Sequence, residues 1–207
     1  MSSRSHSSMR TAKGLSGRRL LLRTLLLAAA TPLAAPAGIA ATDPARAGPA
    51  ADLPALAQLG LTEMGQGELR FFGLKLYEAR LFAPPNTPLS QLLEGPLGLE
   101  LHYSRRFEGT DIARRSIEEM EGLGLIDRGL KDRRLAELRA LFPTVDRDDR
   151  LLGLYRPQAT SPFFFNGRPI GEIPDPRFAQ SFFRIWLDPK TSEPRLREAL
   201  IRRLSRP

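Results

Sequence analysis

The chain predicts an α+β fold built on a mainly antiparallel sheet, and three observations carry that expectation. Strand-like and helical segments come in runs and not in strict alternation: two or three strands, two helices, three strands, two helices. Leu97, Leu99, Leu101 and Tyr103 alternate with Gly98, Glu100 and His102, the period-two pattern of a half-buried strand. Phe163-Phe164-Phe165-Asn166-Gly167-Arg168-Pro169-Ile170 reads as a hairpin, because Asn-Gly tolerates the positive φ angles of a tight two-residue turn.

The remaining elements follow from local signals. Glu68 to Phe82 is strand-like and is divided by Gly73. Leu74 and Leu76 share one parity and Tyr77, Ala79 and Leu81 the other, a phase shift that suits a bulge or a strand covered on both faces. Thr110 and Asp111 start a helix with Ala113, Ile117 and Met120 at helical spacing and Gly122 as its stop. A second helix covers Asp132 to Leu141, with Leu135, Leu138 and Phe142 on one face. Arg150 to Arg156 is strand-like. Asp175 caps a helix with Pro176 in its first position, and Phe178, Phe182, Ile185 and Trp186 form its apolar stripe. Ser192, Glu193 and Pro194 open a last helix carrying Leu196, Leu200 and Leu204.

The first forty residues read as an export signal. A long basic region precedes an apolar stretch from Leu20 to Ala35, interrupted by Arg23. Small residues follow, with two small-x-small sites, Ala35-Pro36-Ala37 and Gly38-Ile39-Ala40. The apolar run after Arg23 is well short of the ~20 residues a spanning helix needs, so a cleaved signal is favoured over an anchor. Arg18-Arg19-Leu20-Leu21-Leu22-Arg23 also fits the twin-arginine pattern, which leaves both export routes open. The expected organisation is a signal over 1–40, an Ala/Pro-rich linker over 41–57 and one domain over 58–207, exported to the periplasm.

Composition excludes several function classes. The net charge is +8, but Arg4, Arg10, Lys13, Arg18, Arg19 and Arg23 lie in the signal with no acidic residue; taking those six from +8 leaves +2. Such a balance is a solvated surface and not an electrostatic funnel for nucleic acid. There is no cysteine, and His102 is the one histidine besides His6. Disulfides, thiol chemistry and multi-histidine metal sites therefore lose their ligands. Glycine-rich nucleotide loops, nucleophile elbows and H-E-x-x-H motifs are missing, so neither a cofactor nor a metal is expected. Asp146, Asp148 and Asp149 read as a solvated turn, lacking the glycine and distal glutamate of a calcium loop. Glu118, Glu119 and Glu121 beside Arg114 and Arg115 read as a surface ion-pair ladder.

The candidate site rests on Tyr77 and Tyr103, both on the apolar parity of their strands, with Arg70 and Arg105 nearby in sequence. A tyrosine hydroxyl and a guanidinium at the end of an apolar cavity can hold a carboxylate or an enolate. The plainer alternative is that the tyrosines are core residues with satisfied hydroxyls and the arginines are surface residues.

Several segments together resemble a known family. Gly73-Leu-Lys-Leu-Tyr-Glu-Ala-Arg-Leu-Phe-Ala83 and Leu99-Glu-Leu-His-Tyr-Ser-Arg-Arg106 are similar to two strands of bacterial exported chalcone-isomerase-like proteins. The most specific likeness is Phe165-Asn-Gly-Arg-Pro-Ile-Gly-Glu-Ile-Pro-Asp175 followed by Phe178-Ala-Gln-Ser-Phe-Phe-Arg-Ile-Trp-Leu187. The resemblance implies an open-faced β-sandwich: a large antiparallel sheet, helices packed on one face and a smaller sheet nearby, enclosing an apolar cleft. The plant enzymes of this family orient their substrate with an arginine, two threonines, a tyrosine and an asparagine. Their places fall here near Gly65, at Tyr77, near Gly167 or Arg168, and near Ile112 and Glu119, so most of the set is unmatched. A tyrosine at the place of Tyr77 resembles instead the fatty-acid-binding members, where it holds a carboxylate together with an arginine.

The resulting expectation is a non-catalytic exported protein that binds a small amphipathic ligand, such as a fatty acid, through Tyr77, with Tyr103 beside it and Arg70 or Arg105 as cationic partner. Two alternatives stand beside it: an isomerase or intramolecular lyase on another substrate, and an accessory protein whose partner is another envelope protein.

Overall fold

The computed structural model describes residues 54–204. The expected signal and residues 41–53 of the expected linker lie outside the described residues. Six strands form one antiparallel sheet in the order of the chain: β1 (Thr62–Phe71), β2 (Leu74–Ala83), β3 (Leu97–Tyr103), β4 (Arg150–Tyr155), β5 (Ser161–Phe165) and β6 (Arg168–Ile173). Helices α2 (Gly109–Gly122) and α3 (Lys131–Leu141) fill the connection from β3 to β4, and α4 (Pro176–Leu187) and α5 (Pro194–Leu200) follow the sheet. The expected smaller second sheet is corrected: the described strands all belong to one sheet.

The four longer helices cover one face. Ala79, Leu81, Leu99, Leu101, Leu151 and Phe163 point into this layer and meet Ile117, Met120, Leu138, Phe182 and Phe183. The apolar stripe of α4 is therefore core, and its start is capped as expected. The Asp175 carboxylate accepts from the Arg177 and Phe178 amides at 2.9 and 3.2 Å. The same carboxylate pairs with Arg134, a buried arginine of α3 whose guanidinium lies 4.6 Å from the Phe178 ring centroid. The charge pair thus ties α3 to the start of α4. At the other edge α5 approaches β1 so closely that a Cβ on Gly65 would lie 2.2 Å from the Ala199 carbonyl oxygen. Only glycine permits that contact.

The opposite face carries an element that composition hid. The predicted linker runs to residue 57, but Pro54–Gln58 form a short helix, α1. Its Leu56 is buried against Leu152 and Leu154 on the outer face of β4. Three prolines and a run of alanines mask this because one turn of helix has no periodicity to read. Beyond α1 this face is polar. Glu100 is 1% exposed there, and one of its oxygens accepts from Arg150 at 3.1 Å while the other has no hydrogen-bond partner among the described residues. Burial pushes its carboxyl above the usual range, against the pull of Arg150 and Arg80.

The phase shift within Glu68 to Phe82 has a simple cause. The chain reverses at Phe72-Gly73, so β1 and β2 are two strands of a hairpin, and β2 carries a bulge: Leu69 pairs with Tyr77 and Arg70 with Lys75, which leaves Leu76 as the extra residue. Past the bulge Leu74 pairs with Phe71, on the face of Leu69 and Tyr77, so the change of parity is the bulge itself. Among the described residues, no helix is long and apolar enough to cross a membrane.

Candidate functional site

The pairing of β2 with β3 places Tyr77 directly opposite Tyr103, both facing the helices. Their rings meet edge to face at 5.9 Å, and Phe107 lies 5.7 Å from Tyr103 on its other side. α4 completes the group: Trp186 Nε1 donates to the Tyr77 hydroxyl at 3.0 Å, with Phe182 packed 5.4 Å from the indole. The hydroxyl of Tyr103, a residue 3% exposed, makes no hydrogen bond to any described residue. Burial raises the pKa of both phenols, with Tyr77 adding to the effect on Tyr103. Both therefore stay protonated at neutral pH, and each is a donor and not a base.

Beneath this polar end the interior is apolar and tightly packed. Leu99, Leu101, Leu151, Phe163, Phe182 and Trp186 line a void of about 10 Å³, which is room for about one water. A ligand-sized cavity is roughly 300 Å³ or more. An alkyl chain can enter this void only if α4 and its phenylalanines move away from the sheet.

The charged groups acting on Tyr77 are Glu193, Glu119 and Arg115. Glu119 of α2 pairs with Arg115, and its other oxygen accepts from Ser192 Oγ at 2.9 Å, which stitches α2 to the start of α5. Burial raises the Glu193 pKa, and the like charge of Glu119 adds to that, with Arg115 opposing. The supposed surface ladder on α2 thus supplies the rim of the site on its inward side.

Of the four expected residues, the structure brings together Tyr77 and Tyr103. Arg70 and Arg105 are both exposed, and neither is among the charges acting on Tyr77. Arg70 is turned to the hairpin, donating to Glu68 at 2.9 Å and to the Gly73 carbonyl at 3.1 Å. Arg105 stands past the end of β3, where no strand directs it inward. Neither expected arginine is placed beside Tyr77, and the arginine whose charge acts on it is Arg115, itself paired with Glu119. Trp186 and Glu193 were missed. Trp186 reads as one more residue of an amphipathic stripe, and Glu193 as a helix opener. Among the described residues, no cluster of histidine and carboxylate side chains is arranged to hold a metal ion.

Comparison with known proteins adds three findings. The model of a family described as chalcone isomerase-like matches residues 56–201. A protein of Haemophilus influenzae, itself named as uncharacterised, is 30% identical over 138 residues, covering 67% of this chain and 66% of the relative. A solved fatty-acid binding protein of Arabidopsis thaliana superposes with a TM-score of 0.54 at 15% identity, covering 69% of this chain and 87% of that one. At that identity the likeness speaks for the fold.

Proposed function

The chain belongs to the chalcone isomerase-like family, and from that premise we propose that it is an exported, non-catalytic protein that binds a small amphipathic molecule between its sheet and helices. The observation that carries this reading is the pair of adjacent phenols at the end of an apolar interior, one of them without a hydrogen-bond partner among the described residues. Two O–H donors side by side suit a single acceptor oxygen, and the apolar layer behind them suits an alkyl or aromatic body. The solved relative that is a fatty-acid binding protein makes a fatty acid the first ligand to try. Export rests on the basic, apolar and small-residue regions of the first forty residues.

The rim refines the ligand. Glu193, Glu119 and Arg115 act on Tyr77, so an ionised head group placed there meets two like charges for one opposite. An uncharged head, whether a protonated acid, an alcohol or an ester carbonyl, fits better than a carboxylate.

Native mass spectrometry of the protein recovered from the periplasm tests both parts. We expect a mass lacking about forty N-terminal residues and a bound lipid-sized adduct. Added lauric to stearic acids, and alcohols of the same lengths, should raise Tm, the alcohols more at neutral pH and the acids increasingly as pH falls. Tyr103→Phe should weaken binding by about threefold to tenfold, the worth of one hydrogen bond. Lipid-free recovery together with an unmoved Tm for acids and alcohols alike sinks the reading.

A further inference from the structure

The hairpin joining β1 and β2 ends in an apolar tip that the fold does not use. Phe72 is 80% exposed, Leu74 56% and Phe71 47%. The three make one surface: Phe71 and Leu74 are cross-strand partners, and the Phe71 ring lies edge-on to that of Phe72 at 4.5 Å. Scattered exposed apolar residues are ordinary, but a contiguous group at a projecting tip is not. The backbone adds to the cost. Phe72 has a φ of +46°, a left-handed conformation that a bulky side chain seldom adopts.

The tip is nevertheless braced. Arg70 donates to the Gly73 carbonyl at 3.1 Å and pairs with Glu68 at 2.7 Å, and Lys75 on the other stem pairs with the same Glu68 at 2.7 Å. Two exposed rings and a leucine are thus held on a turn with a basic residue on each stem, Glu68 between them and Glu78 also paired with Lys75 at 3.3 Å.

We propose that this tip is a membrane-docking wedge, in which Phe71, Phe72 and Leu74 enter the boundary between headgroups and acyl chains while Arg70 and Lys75 stay at headgroup depth. Size argues for a bilayer over a protein partner. The three side chains present roughly 300 Å², whereas a stable protein interface takes about 800 Å² from each partner. A bilayer needs no complementary surface, and apolar side chains reach about 5–10 Å into it. Shape agrees, since the tip projects and forms no groove. The stems of Arg70 and Lys75 are long enough for their charges to remain in water while the rings are buried. Because Glu68 and Glu78 offset the charge of that collar, the apolar side chains carry the docking and anionic lipid adds little. Leu74 stands three residues, about 10 Å along a strand, from Tyr77, so docking holds that end of the sheet at the membrane. The wedge itself does not depend on what the tyrosines bind.

Phe72→Trp in the full chain tests the proposal, because the native Trp186 is buried and serves as an internal reference. The chain is mixed with vesicles of phosphatidylcholine, alone or with a minority of phosphatidylglycerol. The introduced indole should shift to the blue, lose quenching by iodide and be quenched by lipids brominated near the carbonyl, to a similar extent in both vesicles. Adding Phe71→Ser and Leu74→Ser should cut that lipid quenching severalfold with the circular dichroism unchanged. An indole that remains open to iodide and untouched by brominated lipid, even in chains that sediment with vesicles, overturns the proposal. Shielding without vesicles that grows with protein concentration overturns it too, by showing a second copy on the tip.

Discussion

Two hairpins of this sheet turn on the same two-residue geometry and use opposite residues to do it. Asn166 and Gly167 have φ of +48° and +81°; Phe72 and Gly73 have +46° and +79°. The asparagine is the residue that physics prefers there, since it tolerates the left-handed region and its amide has local work. Its Oδ1 accepts from the Arg150 amide at 2.8 Å and its Nδ2 donates to the buried Asp149 at 2.9 Å. Asp149 also accepts from the Asp146 amide at 2.6 Å. The acidic run before β4 is therefore a folded corner, joined to the hairpin by side-chain hydrogen bonds. The phenylalanine has none of these contacts; its ring touches Phe71 and otherwise faces water. One turn is chosen to hold the fold and the other is tolerated by it. The contrast at equal backbone geometry points to a use outside the fold for Phe72.

The comparison can be broken first at the folding turn. Asn166→Ala should destabilise the protein by about 2–4 kcal/mol, because it strands a backbone N–H and a buried carboxylate oxygen and leaves alanine in a strained conformation. Chemical denaturation measures it, and a loss well under 1 kcal/mol would mean the corner is not anchored there. The reciprocal change, Phe72→Asn, should stabilise the protein by about 0.5–1 kcal/mol, since it relieves strain and removes no core contact. A clear loss of stability would show that the rings do pack in solution and would erase the contrast.

The smallest effect concerns a neighbour of the folding turn. Arg150, whose amide binds Asn166, also pairs with buried Glu100. Burial holds the folded Glu100 carboxyl above its unfolded value, so the folded state keeps a proton that the unfolded state has released. The stabilising contribution is full below the unfolded glutamate pKa and is lost as pH rises through the folded one. Glu100→Gln should flatten that part of the curve of Tm against pH, and an unchanged slope would place the loss elsewhere.

Much of the fold is legible in the residues. The alternation at Leu97 to Tyr103, the Asn-Gly hairpin, the Asp175 cap and the Phe178 to Trp186 stripe each act through neighbours two to four positions apart, and each is found where it is expected. The site is legible in part. Tyr77 and Tyr103 follow from strand parity, because parity decides which face a side chain joins. Arg70 and Arg105 do not, because closeness in sequence says nothing about where a long side chain at a strand end points.

Sequence alone set the order and kind of the elements, the turns, and the family, since all of these are written in short-range pattern. The path of the chain decided the rest. It brought Trp186 to the Tyr77 hydroxyl across 109 residues, Ser192 to Glu119 across 73, and Leu56 onto the outer face of β4. It also left Tyr77 under the charges of two acids and one arginine, and not of the arginines nearest in sequence. Hydrogen-bond partners and burial depend on where side chains end in space, and a period of two or of 3.6 fixes only the face from which they start.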